Sequence, residues 1–153
     1  MPQVQNKSPY NMALDMLSRR DNSEQEIKQK LSRKGINQEE IGEVLEKLKR
    51  NGLVDDSIFA MTYAKHLLAA KPVGPKLLEQ KLRQKGLATT AIQQTLQAVE
   101  EEYSMNDLAM MAMRKWQRIH PKHAQDRQRL NRFLISRGFT IDQISGLSIS
   151  EEV

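Results

Sequence analysis

One seven-residue pattern occurs three times in this chain: Lys30-Leu31-Ser32-Arg33-Lys34-Gly35-Ile36, then Lys81-Leu82-Arg83-Gln84-Lys85-Gly86-Leu87, then Phe133-Leu134-Ile135-Ser136-Arg137-Gly138-Phe139. The three glycines are 51 and 52 residues apart. The similarity extends beyond the pattern, because a hydrophobic residue stands eight positions before each glycine and an isoleucine stands six positions after it. This period predicts one structural unit used three times.

Each copy of the pattern predicts the end of one helix. Ile27 and Leu31 stand eight and four positions before Gly35, and this spacing places both side chains on one helix face. The glycine can then end the helix, because it adopts the left-handed backbone conformation without steric penalty. A lysine or arginine precedes the glycine in every copy, where its charge suits the negative end of the helix dipole.

Candidate N-caps indicate where the helices begin. Ser23 with Glu26, Asn37 with Glu40, and Thr140 with Gln143 have the spacing of a capping box. Gly74-Pro75 places a proline at a first helical position. The remaining expected caps are the pair Asp55 and Asp56, Thr89 or Thr90, and Ser104.

These patterns predict an all-α protein of three tandem three-helix repeats, each resembling a helix-turn-helix unit. We expect a disordered lead at 1–9, repeat 1 at 10–54, repeat 2 at 55–103 and repeat 3 at 104–153, with an atypical C-terminal end. Stacked end to end, the repeats should form an elongated, curved body. Trp116, the only tryptophan, is expected to anchor the third repeat, with contact to a partner as the alternative.

Composition excludes several classes of protein. The chain contains no cysteine, which rules out disulfides and thiolate metal sites. No hydrophobic run approaches the roughly 18 residues that a membrane span needs. We therefore expect a cytoplasmic protein that does not contact a membrane.

The sequence offers little support for catalysis. It has no Gly-rich phosphate loop, no metalloprotease spacing and no nucleophile elbow. His66, His120 and His123 have no acidic cluster beside them, so we expect neither a metal nor a cofactor. The carboxylates of Asp55 and Asp56 are better explained by helix capping than by acid–base chemistry. We expect that the protein is not an enzyme.

Positive charge is concentrated in two zones. The net charge is +5, but Lys65–Lys85 carries +5 and Arg114–Arg137 carries +7, so the rest of the chain is at −7. Solvated helix faces are the simpler interpretation of such zones. Most of these cations, however, have no acid on their own helix, which favours an anionic partner. The expected contact residues are Lys71, Lys76, Lys81, Arg83 and Lys85 in the first zone, and Arg114, Lys115, Arg118, Arg129, Arg132 and Arg137 in the second.

Four segments, in order along the chain, resemble signatures of the RecX family. They are Arg20-Asp21-Asn22-Ser23-Glu24-Gln25-Glu26 with Leu31; Asn51-Gly52-Leu53-Val54-Asp55-Asp56 followed by Phe59-Ala60; Gly74-Pro75 followed by Lys85-Gly86-Leu87; and Arg132-Phe133-Leu134 with Arg137-Gly138-Phe139. The resemblance covers residues 10 to 147. Each segment alone is weak, whereas four segments in order are specific.

The resemblance implies a regulator of RecA, the recombinase that polymerises on single-stranded DNA. RecX-like proteins bind the RecA filament, in its groove or at its growing end, and suppress its ATPase, strand-exchange and co-protease activities. On this basis we expect a protein that binds the RecA filament and tempers recombination and the SOS response. The elongated body expected of the repeats suits a monomer. Direct contact with DNA stays open.

Two other functions stay open as well. The first is a sequence-tolerant DNA-binding protein that acts without a recombinase and whose binding falls steeply with salt. The second is a helical-repeat adaptor for another acidic protein. A dimeric repressor with one recognition helix is less well supported, because no single helix stands out and the charge is spread over two repeats.

Overall fold

The structure is a computed structural model, and it describes residues 7–147. These residues form nine α-helices and one short 3-10 turn, without a β-strand. The helices are α1 Pro9–Arg19, α2 Glu24–Arg33, α3 Gln38–Arg50, α4 Asp56–Ala70, α5 Pro75–Gln84, α6 Thr89–Glu102, α7 Met105–Ile119, α8 Arg127–Ser136 and α9 Ile141–Ser145, with the 3-10 turn at Pro121–His123. The predicted all-α fold of three tandem three-helix repeats is confirmed.

Both termini of the chain lie partly outside the described residues. Of the expected disordered lead, residues 1–6 are outside, whereas Ser8 caps α1 by accepting a hydrogen bond from the backbone N–H of Asn11. Residues 148–153, at the end of the third repeat, are also outside. Within the described residues the third repeat departs from the other two, because α9 has only five residues.

The helix ends largely follow the local sequence. The capping boxes of Ser23 with Glu26 and of Thr140 with Gln143 both form. Asn37 caps α3 by accepting a hydrogen bond from the backbone N–H of Glu40, but the reciprocal bond of a capping box is missing there. The glycines that close the three patterns all have positive φ angles, as predicted. The prediction for α6 is wrong: the helix begins at Thr89, its N-cap is Ala88, and no side chain caps it.

The two aspartates before α4 have different roles. Asp55 caps α4 by accepting hydrogen bonds from the backbone N–H groups of Ser57 and Ile58, at 2.9 and 3.3 Å. Asp56 instead accepts a hydrogen bond from the backbone N–H of Glu24, at 3.0 Å. It therefore caps the first turn of α2, a helix of another repeat. A free N–H at a helix N-terminus attracts any carboxylate that tertiary folding brings close to it.

The hydrophobic core of the described residues consists of two separate clusters. Repeat 1 has its own cluster, which includes Ile27, Leu31 and Leu48. Repeats 2 and 3 share a single cluster, to which Leu82 of α5 and Leu134 of α8 both belong. The second and third repeats are therefore one packed body, to which the first repeat is attached.

The second helices of the repeats, α2, α5 and α8, are connected end to end. At the first joint, between repeats 1 and 2, the hydroxyl of Ser23 donates a hydrogen bond to the carbonyl of Lys85, at 3.0 Å. At the second joint, between repeats 2 and 3, the backbone N–H of Gly74 donates to the carbonyl of Arg137, at 2.8 Å. In each case an N-cap meets the C-cap of the next repeat's helix. Opposite ends of two helix dipoles thus meet, and free carbonyls gain donors.

At the second joint the two backbones approach so closely that neither of its glycines could carry a side chain. A Cβ atom on Gly74 would lie 2.4 Å from the carbonyl carbon of Gly138, and one on Gly138 would lie 2.3 Å from the backbone nitrogen of Leu77. Because Gly138 also has a φ angle of +91°, glycine is required there for two separate reasons.

Candidate functional site

A pocket of about 300 Å³ opens at the second joint. Its rim carries three of the predicted contact cations, Lys71, Lys115 and Arg137. Among the described residues that line it there is no aspartate or glutamate. We call this cavity the second-joint pocket.

Three helices position the cations of the second-joint pocket. Lys71 is the C-cap of α4, where Pro72 prevents the helix from continuing. Lys115 lies in the C-terminal half of α7, and Arg137 is the C-cap of α8. The guanidinium of Arg137 stands 5.3 Å from the centre of the Phe133 ring, close enough for a cation–π contact.

The floor of the second-joint pocket is apolar. Trp116 is 7% exposed and anchors the third repeat, as expected. Its ring centroid lies 6.2 Å from that of Phe133 and 5.3 Å from that of His120. Ile119, at 62% exposure, brings a large hydrophobic side chain to the edge of the pocket. The pocket therefore joins an apolar floor to a cationic rim.

A second cavity of about 430 Å³ shares Trp116 and His120 with this pocket. It is also lined by Arg129 and Arg132. The carboxylate of Asp126 lies 3.2 Å from Arg129 Nε, whereas Arg132 forms no ion pair within residues 7–147. Five of the eleven predicted contact residues thus lie around one surface that crosses the second joint. This cationic surface consists of Lys71, Lys115, Arg129, Arg132 and Arg137.

The other six predicted contact residues lie outside the cationic surface. Arg83 binds Glu79 of its own helix, four positions earlier, at 2.7 Å. Lys85 binds Glu26 of repeat 1 at 3.3 Å, so its acid comes from a residue far away in the sequence. The remaining four are Lys76, Lys81, Arg114 and Arg118. The assignment of all eleven residues to a partner stays a prediction.

One arginine of the second zone has a structural role that the sequence did not reveal. Arg127 forms no ion pair within residues 7–147, but it binds the backbone of another helix. Its guanidinium donates hydrogen bonds to the carbonyls of Ile144 and Leu147, each at 2.7 Å. These carbonyls lie at the end of α9, so Arg127 closes the last helix of the described chain.

The first joint carries a pocket of its own, of about 580 Å³, that sequence reasoning missed. It is lined by Arg20 and Lys85, with Tyr63 and His66 from α4. Here the carboxylate of Glu26 lies between the two cations, 3.1 Å from Arg20 and 3.3 Å from Lys85. The separation of 51 residues between Arg20 and Lys71 was the signal that could have revealed this pair of pockets.

Two further properties of the described residues bear on function. Within 7–147, no group of three or more His, Asp or Glu side chains is arranged to hold a metal ion. No helix in this part of the chain is long and apolar enough to cross a membrane.

Each of the three repeats matches a family model. Residues 10–48 match the first three-helix domain of RecX, residues 55–96 the second and residues 101–146 the third. The crystal structure of RecX from Lactobacillus salivarius superposes with a TM-score of 0.79 at 22% identity and covers 90% of both chains. A crystal structure of regulatory protein RecX superposes with a TM-score of 0.80 at 27% identity and covers 90% of this chain and 69% of that one.

Curated relatives show similarity over nearly the whole chain. Regulatory protein RecX of Chlorobium phaeobacteroides is 31% identical over 151 residues, which are 94% of this chain and 98% of that protein. Regulatory protein RecX of Levilactobacillus brevis is 32% identical over 135 residues, which are 87% of this chain. The chain spans about half the length of this relative and of the one from Geobacillus thermodenitrificans, at 50% and 52%.

Proposed function

Because the chain belongs to the RecX family, we propose that it binds the filament that RecA forms on single-stranded DNA and restrains it. Binding inhibits the ATPase, strand-exchange and co-protease activities of the filament. The protein thereby tempers recombination, DNA repair and the SOS response. It acts as a cytoplasmic monomer, by binding alone, and is not an enzyme.

The cationic surface at the second joint is the observation that carries this proposal. It brings Lys71 of repeat 2 together with four cations of repeat 3. A filament on DNA is a long polymer bordered by phosphates. A concentrated positive surface steers the encounter with such a polymer and strengthens binding at low ionic strength.

The tandem repeats offer a second source of binding strength. Repeats in a row can touch more than one protomer of a filament. Linked contacts of this kind raise the overall affinity even when each contact is weak. The first repeat has a core of its own, which lets it contribute a separate contact.

The direct test is RecA ATPase on single-stranded DNA, with this protein added before or after filament assembly. We expect inhibition in at least one order of addition. Inhibition only when the protein is added before assembly indicates binding at the growing end, and inhibition in both orders indicates binding along the groove. A lack of inhibition in both orders at low ionic strength would contradict the proposal.

Charge reversal tests the surface. The variant Lys71→Glu, Lys115→Glu, Arg137→Glu should require at least about ten times more protein for the same inhibition. The control Lys28→Glu, Arg33→Glu, Arg50→Glu makes the same change in net charge at exposed residues that form no ion pair within 7–147. We expect this control to inhibit nearly as well, with circular dichroism showing equal helicity for both variants.

Binding to DNA without a recombinase is the second candidate function, because aromatic side chains lie beside the cations of the surface. Base stacking on aromatic residues combined with a basic groove is typical of single-strand binding. Tight, salt-sensitive binding to bare oligonucleotides without any effect on RecA ATPase would favour this function.

A further inference from the structure

The two joints are equivalent positions of the repeat. Ser23 and Gly74 are the N-caps of α2 and α5 and are 51 residues apart. Each donates a hydrogen bond to the carbonyl of the cation that precedes a pattern glycine, Lys85 in one joint and Arg137 in the other. A pocket opens beside each joint. The contacts in the first joint therefore indicate which group the second joint can bind.

In the first joint the chain places an anion of its own between the two cations. Glu26 Oε2 lies 3.1 Å from the guanidinium of Arg20 and 3.3 Å from the ammonium of Lys85. Its other oxygen, Oε1, accepts a hydrogen bond from the backbone N–H of Ser23. The Glu26 side chain is only 14% exposed. The first joint thus holds one carboxylate of its own between two cations.

The second joint keeps the cations and lacks the carboxylate. Lys71 stands 51 residues after Arg20, and Arg137 stands 52 residues after Lys85. The residue 51 positions after Glu26 is Leu77. Lys71 and Arg137 line the same pocket, and neither forms an ion pair within residues 7–147. The second joint thus repeats the two cations of the first without the carboxylate that pairs with them.

We propose that the second-joint pocket binds a carboxylate side chain from an acidic segment of the protein partner. Lys71 and Arg137 flank the carboxylate as Arg20 and Lys85 flank Glu26, and Lys115 adds a third cation at the rim. Charge-assisted hydrogen bonds from a guanidinium and an ammonium hold such a group strongly. This proposal rests on the proposed function for the identity of the partner.

The apolar floor of the pocket indicates which kind of side chain lies beside the carboxylate in the partner segment. Trp116 and Phe133 form an apolar base, and the exposed side chain of Ile119 extends it. An apolar side chain next to the acid would cover this surface and exclude water from the ion pairs, which strengthens them. We therefore assign to the pocket a segment in which acidic and aliphatic residues alternate.

Trp116 allows direct observation of binding, because it is the only tryptophan and it lines the pocket. The probe is a hexapeptide of alternating glutamate and leucine, with the same peptide carrying glutamine in place of glutamate as control. We expect the acidic peptide to change Trp116 fluorescence saturably and the glutamine peptide to bind at least about tenfold more weakly. Equal binding of the two peptides would overturn the proposal. So would an oligothymidylate that gives the response when the acidic peptide does not, since phosphate would then be the ligand.

The first joint also suggests a variant that blocks the second. Leu77→Glu places a carboxylate at the position that corresponds to Glu26, next to Gly138, and we expect it to pair with Lys71 and Arg137. Leu77→Gln is the matched control of nearly the same shape without charge. We expect Leu77→Glu to lower the affinity for the acidic peptide at least about tenfold, while Leu77→Gln stays within about threefold of the unmodified protein. Equal affinities of the two variants would contradict the proposal.

The RecA ATPase assay separates this inference from the proposed function. If the unmodified protein inhibits RecA and Leu77→Glu does not, whereas Leu77→Gln does, both stand. If Leu77→Glu inhibits as well as the unmodified protein, the pocket is not the partner contact and the inference is wrong, while the proposed function stands. If the unmodified protein has no effect on RecA, the proposed function fails, and the peptide titration still decides whether the pocket binds a carboxylate.

Discussion

The carboxylate of Asp56 caps a helix that is not its own: it accepts a hydrogen bond from the backbone N–H of Glu24, 32 residues earlier in the chain, at 3.0 Å. Asp56 is the first residue of α4, and Glu24 is the first residue of α2. This hydrogen bond therefore links the first repeat to the second. The side chain of Glu24 in turn binds Lys49 at the end of α3.

Removal of this cap should destabilise the protein. We expect Asp56→Ala to lower the free energy of unfolding by about 1 kcal/mol, because the N–H of Glu24 loses its acceptor. Asp56→Asn keeps an acceptor oxygen and should stay within about 0.5 kcal/mol of the unmodified protein at neutral pH. Urea denaturation followed by circular dichroism measures both. A loss for Asp56→Asn as large as that for Asp56→Ala would show that the charge, and not the hydrogen bond, is what matters.

Asp56 should also make the free energy of unfolding depend on pH. Burial raises the pKa of the Asp56 carboxyl above its usual value of 3.8, against the hydrogen bond from Glu24, which lowers the pKa. A carboxyl whose pKa is higher in the folded state stabilises the fold at low pH, and this contribution is lost as the pH rises through the folded-state pKa. The unfolding free energy of the unmodified protein minus that of Asp56→Asn should therefore fall from about pH 3 to about pH 6. An increase over this range would contradict the assignment.

Glycine at the second joint should be essential for stability. We expect Gly138→Ala to lower the free energy of unfolding by more than about 2 kcal/mol, because its Cβ would collide with Leu77 and its φ angle is positive. Gly35→Ala is the matched control, with a φ angle of +85° and no atom within 4 Å of the new Cβ. It should lose only the left-handed penalty of about 1 kcal/mol. Chemical denaturation compares the two, and equal losses would show that the joint tolerates a side chain.

The division of the core predicts two different patterns of local unfolding. Leu31 and Leu82 stand at the same position of the repeat and are both fully buried. Truncation to alanine should remove about 2–5 kcal/mol at either site. Leu31→Ala should speed amide hydrogen exchange only in α1 to α3, whereas Leu82→Ala should speed it throughout α4 to α9, since repeats 2 and 3 share one core. Exchange read by mass spectrometry is the measurement, and uniform acceleration by Leu31→Ala would contradict the division.

Substitution of two arginines of α8 should have opposite effects: one variant should lose stability and the other should lose binding. Arg127→Ala removes two hydrogen bonds to the end of α9 and should lower the unfolding free energy by about 1–3 kcal/mol. Arg132→Ala removes an exposed cation of the cationic surface and should change stability by less than about 0.5 kcal/mol while weakening inhibition of RecA. Thermal melts and the ATPase assay report on both variants. The reverse outcome would mean that the roles of the two residues are exchanged.

Much of the fold was predictable because its signals are local. The capping box of Ser23 with Glu26 spans three residues, and Pro75 opens α5 through its own φ restriction. Prediction of the site was less complete. The sequence predicts Lys71, Lys115 and Arg137 as contact residues, but their position around Trp116 depends on the packing of α4, α7 and α8.

The repeat, the helix type and most helix ends follow from the amino-acid sequence read alone, since helix periodicity, capping and glycine backbone freedom act over a few neighbouring residues. The ionic partner of Lys85, the capping role of Arg127 and the shared core of repeats 2 and 3 depend on the folded chain. A charge pairs with whatever lies within a few ångströms of it, and Glu26 reaches Lys85 across 59 residues only when α2 and α5 meet end to end.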